Sequence, residues 1–184
     1  GKQLWAFVPP DILGVMKYGL DRHTFMVDGT AMVRDVWADG SGTSAKDGKK
    51  DKDEFRTMAV VGTGSGGRHF FALDVTKDAQ SNKPAFRWIW PQPNDPRVAD
   101  MGDSFSNFHP RPPPIGPVLV EDSGGFDYTY RVPNAAGAFE EKGPVKVAER
   151  WIVGLNGGLD RALQRGRGFA LVDVWNGETV WDFF

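Results

Sequence analysis

The feature that most constrains this chain is an internal repeat. Three strand-like segments end on tryptophan: GKQLWAF (Gly1 to Phe7), FRWIW (Phe86 to Trp90) and GETVWDF (Gly177 to Phe183). Trp5, Trp90 and Trp181 therefore recur at a period of about 90 residues, and the same order of elements fills both intervals. In the first interval, Met26 to Trp37, Arg56 to Thr63, His69 to Thr76 and Phe86 to Trp90 each read as a β-strand, rich in branched or aromatic residues. In the second, Ile115 to Val120, Arg150 to Leu155, Gly168 to Val174 and Thr179 to Phe183 follow in the same order. The piece VVGTGSGG followed by FFALDV matches VGLNGG followed by FALVDV with an offset of about one residue.

Four strands per unit with an aromatic on the last strand describe a propeller blade. The expected fold is therefore all-β, a β-propeller of the quinoprotein-like kind, with this chain supplying about two four-stranded blades. Residues 1–7 read as the last strand of a preceding blade and residues 8–90 as one blade. Residues 91–184 read as a connection and a second blade. Two blades cannot close a ring, so their outer faces call for further sheets as neighbours.

Each unit is longer than a usual blade because of an insert between its first two strands. Ala38 to Glu54 (ADGSGTSAKDGKKDKDE) is polar and charged, and is expected as a solvated loop; Asp122 to Ala148 is expected as a loop insert at the matching place. The stretch Pro91 to Pro114 carries seven of the thirteen prolines and should be an ordered, non-helical connection.

Composition narrows the function classes. A net charge of −2 gives no basic footprint for nucleic acid. The absence of cysteine removes disulfides, thiolate metal sites and cysteine nucleophiles. No apolar run reaches membrane-spanning length and no signal peptide is visible. The opening GKQLWAF reads as a unit already under way, so that last observation bears little on export.

Several motifs invite sharper readings. Gly62, Gly64 and Gly67 satisfy G-x-G-x-x-G after an apolar strand, but a dinucleotide site needs a helix next. Here His69-Phe70-Phe71-Ala72-Leu73 follows, so a hairpin turn is expected. The tryptophans Trp5, Trp88, Trp90, Trp151, Trp175 and Trp181 could form a carbohydrate or cofactor platform. The repeat assigns Trp5, Trp90 and Trp181 instead to blade packing, with Trp175 expected in an exposed turn. Asp39, Asp47, Asp51, Asp53 and Glu54 could suggest calcium, but the interleaved Lys46, Lys49, Lys50 and Lys52 would repel it. His23, His69 and His109 lack metal-ligand spacing. Asp74 and Asp173 recur at one repeat position and are expected to cap turns. Ser65 has no base in its motif, and no carboxylate pair is marked out for acid–base work. No catalytic, cofactor-binding or metal-binding residue is assigned.

The order GKQLWAFVPPDIL, VDGTAMVRDV, AVVGTGSGGRHFFALDVT, MGDSFSN, IGPVLV and GFALVDVWNGETVWDF resembles the propeller domain of the PilC/PilY family of type IV pilus tip-associated proteins. The resemblance implies a secreted bacterial protein, exported through the periplasm to the cell surface at the pilus tip. It implies a non-enzymatic role in pilus assembly, twitching motility and surface adhesion, with the remaining blades as partners. The position of the two long inserts suggests them as contact loops, with minor pilins as candidate partners. Some members of that family bind calcium through a D-x-D-x-N-type loop; no such loop is present here, so calcium is not carried over. The alternative is a segment of a pyrroloquinoline quinone-dependent quinoprotein dehydrogenase, whose propellers have similar Trp-ended blades. It would require a cofactor over the propeller axis with convergent polar groups and calcium.

Overall fold

A computed structural model of the chain describes residues 1–77, 83–105 and 115–184. His109 and the end of the proline-rich connection lie outside them. The structure is all-β, with two four-stranded antiparallel sheets and only short helical turns. The first sheet comprises β1 (Ala31–Trp37), β2 (Phe55–Gly62), β3 (Phe70–Asp74) and β4 (Ala85–Trp90), hydrogen-bonded in chain order. The second comprises β5 (Ile115–Pro133), β6 (Phe139–Asn156), β7 (Phe169–Asp173) and β8 (Thr179–Phe183), again in chain order. Neighbours in sequence are neighbours in space because hairpin connections close antiparallel pairs.

Register decides which residues face inward. Met32, Val60, Ala72 and Trp88 lie opposite one another across the first sheet, as do Ile115, Val153, Val172 and Thr179 across the second. Side chains alternate faces along a strand, so each row puts its residues on one side. These sides meet. Met58, Val60, Phe70, Trp88 and Trp90 of the first sheet share a buried cluster with Ile115, Val153, Leu155 and Val172 of the second. Met101, from the connection, is fully enclosed among them.

The sheets also stack in matching rank. Arg34 of β1 donates to the Ile115 carbonyl of β5 (2.6 Å). At the other end, Trp88 Nε1 donates to the Val174 carbonyl (2.9 Å) and Trp90 Nε1 to Thr179 Oγ1 (2.9 Å). Those bonds satisfy the indole N–H groups that burial would otherwise leave without a partner. Gly177, at φ 77°, lies beneath the Trp88 ring where a Cβ would collide with it.

The faces turned away from this core differ. In the first sheet, Phe71, Leu73 and Ile89 are buried although they point outward. Phe7 explains part of this, with its ring 5.5 Å from Phe71 and 5.7 Å from Phe86. Residues 1–7, expected as a strand, carry no strand pairing; a strand needs a ladder partner, and neither sheet offers these residues one. The outward face of the second sheet is open. Phe169 lies opposite Phe183 and Leu171 opposite Trp181; Phe169, Trp181 and Phe183 are all exposed.

Candidate interaction surface

The glycine motif resolves as a turn. β2 ends at Gly62 and the chain returns as β3, with no helix between them. The space a phosphate would need is filled by the chain itself. Gly62 abuts the Ser104 carbonyl, Gly64 (φ 63°) the Asp28 carboxylate, and Gly66 the Met26 carbonyl. A buried hydroxyl pair secures the contact: Thr63 Oγ1 and Ser104 Oγ are 3.0 Å apart, and Ser104 Oγ donates to the His69 carbonyl (2.7 Å). The glycines serve close backbone approach. Asp74 and Asp173 accept from backbone N–H groups two residues on, Thr76 and Trp175, each closing an Asx turn.

The tryptophans part company. Trp90 is buried, whereas Trp5 and Trp181 are 43% and 53% exposed. Trp175 is held more closely than a turn position suggested: the Arg87 guanidinium lies 3.5 Å from its ring centroid and the residue packs against the core.

The charged insert is ordered by its own carboxylates. Glu54 is fully buried and accepts from Trp37 Nε1 (2.8 Å), Gly40 N (2.6 Å) and Asp51 N (3.3 Å). Those donors, the Trp37 indole first, hold its carboxyl below the usual carboxylate range. Asp53 accepts from the Thr43 hydroxyl and backbone N–H (both 2.7 Å) and the Ser44 hydroxyl (2.8 Å), which hold its carboxyl far below that range. Asp39 accepts from the backbone of Asp47 and Gly48. The acidic groups are thus used to fold the loop. Among the described residues, no group of three or more His, Asp or Glu is placed to hold a metal ion.

The second insert corrects the sequence expectation of a loop. Asp122 to Ala148 is the outer part of one long hairpin, because β5 and β6 continue past the sheet and pair with each other up to Pro133 and Phe139. The local cause is legible in Phe126-Asp127-Tyr128-Thr129-Tyr130-Arg131-Val132, which alternates apolar and polar residues and favours a strand. The tip is set by Asn134, whose side chain accepts from Ala136 N and Ala138 N, and by Gly137 at φ 78°. From Phe126 to Pro133 the arm reaches about 25 Å at the usual strand rise.

One face of this arm is an exposed aromatic stripe. Phe126, Tyr128 and Tyr130 share it with Val145 and the buried Val147, and toward the tip with the ion pair of Lys142 and Glu140; the two tyrosine rings stack at 6.4 Å. The other face is charged, with Lys146 and Asp127 paired at 3.1 Å. Sequence reading missed this stripe because the run was absorbed into an expected loop; its two-residue period was the available signal.

The two inserts meet at one edge of the stacked sheets. Lys50 of the charged loop bridges to Glu149 of β6 (2.8 Å), and its ammonium lies 5.2 Å from the Trp37 ring centroid. Between the inserts runs a cleft of about 480 Å³ with Trp37, Phe126 and Val147 on its apolar lining and Lys46, Asp122 and Glu149 on its polar one. This arrangement suits recognition: aromatic surface with polar groups around it, on elements projecting from a rigid pair of sheets.

The chain is 33% identical over 105 residues to a protein named type IV pilus biogenesis factor PilY1 homolog, from Xylella fastidiosa strain Temecula1. The chain is similar to a pilus biogenesis factor. The match takes in 55% of this chain but only 6% of that relative's length. No family model matches the chain. No solved structure matches it significantly. Among the described residues no helix is long and apolar enough to cross a membrane.

Proposed function

We propose that this chain is a two-blade segment of a β-propeller within a PilC/PilY-like type IV pilus protein. In this reading it is a non-enzymatic scaffold and docking surface in pilus assembly, twitching motility and surface adhesion. The observation that carries it is the 33% identity to a type IV pilus biogenesis factor. Further support comes from the two like sheets stacked in matching rank, with inserts at the same place in each. A propeller repeats such sheets around an axis, and each covers the outward face of the one before it. Phe169, Trp181 and Phe183 then await the next sheet, and Trp181 and Trp5 fill gaps between blades as Trp90 does here. The arm and charged loop become contact surfaces for pilus subunits such as minor pilins, and the protein works at the cell surface after export through the periplasm. In this reading the segment works without a cofactor, and the carboxylates of Asp39 and Asp53 serve to fold the charged loop.

The test is genetic. Disrupting the gene that encodes this chain should abolish or sharply reduce surface pili and twitching in its bacterium, and restoring the gene should return both. Normal piliation and motility in the disrupted strain would overturn the reading.

A further inference from the structure

The outer part of the arm is an open sheet edge. From Phe126 to Val132, β5 pairs with β6 on one side and, among the described residues, with no strand on the other. The opposite edge of the arm is broken by Gly143 and Pro144, next to a register shift, and proline cannot donate to a ladder. The β5 edge has no proline or glycine over these seven residues, and all of them except Asp127 and Arg131 are aromatic or β-branched. Such an edge is a template for another strand.

The sequence of that edge specifies which strand. Phe126-Asp127-Tyr128-Thr129-Tyr130-Arg131-Val132 is complementary to itself when run antiparallel about Thr129. Asp127 then meets Arg131, Tyr128 meets Tyr130, Phe126 meets Val132, and Thr129 meets its own copy. Opposite charges, aromatic pairs, aromatic with β-branched, and paired threonines are the cross-strand combinations that stabilise a ladder. The charges extend the match. Asp127 is already paired with Lys146, and Arg131 lies across from Glu141. A twofold pairing would therefore line up Lys146, Asp127, Arg131 and Glu141 in alternating sign across both copies, twice over. A register shifted by one residue would set one copy's aromatic face beside the other's charged face.

We infer that the arm is a homodimerisation element: two copies of this chain join through antiparallel pairing of residues 126–132, with the twofold axis at Thr129. The two aromatic stripes then form one continuous surface. The contact is isologous and closes on itself. A seven-residue strand pair is smaller than a standard protein interface, so the dimer is weak and depends on concentration.

Sedimentation equilibrium on the 184-residue chain, over a wide concentration series, tests this. The wild-type chain should show a monomer–dimer equilibrium. Asp127→Lys and Arg131→Glu, tested singly, should each weaken it by on the order of tenfold or more, because every reversal sets like charges opposite each other at two symmetric places. An equimolar mixture of the two variants should recover the association, since the lysine introduced in one chain would then face the glutamate introduced in the other. That recovery cannot come from two chains that merely failed to fold. A wild-type chain that stays monomeric would overturn the proposal. So would association unaffected by either reversal, which would point to the open Phe169–Trp181–Phe183 face instead, or a mixture that fails to recover.

Discussion

The two sheets are built alike and finished differently. Both have four antiparallel strands in chain order, and both bury their facing sides in one shared core. Turned outward, the first sheet keeps Phe71, Leu73 and Ile89 out of water, with Phe7 laid across Phe71 and Phe86. The second leaves Phe169, Trp181 and Phe183 open. Burial of such rings is a main source of favourable free energy, so an uncovered row of them marks a face suited to contact. A shared strand plan thus fixes the sheet and its inward side, while the outward side depends on what lies across it.

The largest effect should come from the shared core. Trp88→Ala removes a buried ring and the N–H donor to Val174, and should cost about 4 kcal/mol in a urea titration. A loss below about 1 kcal/mol would mean that the sheets do not rely on each other. Next is the covered outward face. Phe7→Ala should cost about 2 kcal/mol and raise binding of a hydrophobic dye, because it uncovers Phe71 and Phe86. Unchanged dye binding would break the contrast between the two faces.

The inserts differ in the same way, and acid separates them. The Glu54 and Asp53 carboxyls are held below their ordinary values of 4.5 and 3.8 by the donors around them. Their stabilisation is complete above those values and is lost as pH falls through the lower ones of the folded state. Thermal stability should therefore decline between about pH 5 and pH 2, and Glu54→Gln should make that decline shallower. The arm, which has no buried carboxylate, should keep its strand signal as the charged loop loosens. The smallest effect belongs to the open face: Trp181→Ala should change the stability of this chain by no more than about 0.5 kcal/mol. A large loss there would show that Trp181 already has a structural partner.

Sequence reading recovered the strand plan because the alternating and Trp-ended segments carry it directly. Phe70 and Val172 fall inside expected strands and sit in the core. It also recognised the glycine run as a turn, since two phenylalanines where a helix should start contradict a phosphate site. It missed the extended arm, because the Gly124 and Gly125 pair reads as a loop when a hairpin can bulge there and continue. The order in the charged loop was hidden for another reason. Glu54 is one acid among many in the sequence, and only the fold brings Trp37 and Gly40 to it. The exposures of Trp5 and Trp181 likewise depend on what surrounds the two sheets, which a repeat cannot specify.

The most direct test of the central claim, that the outward face of the second sheet is a packing surface, is hydroxyl-radical footprinting of the tryptophans. It would compare the purified chain with the chain in surface-pilus preparations from its bacterium. The account predicts that Trp88 is protected in both, while Trp181 reacts readily in the purified chain and becomes protected in the pilus preparation. Equal reactivity of Trp181 in the two would contradict it.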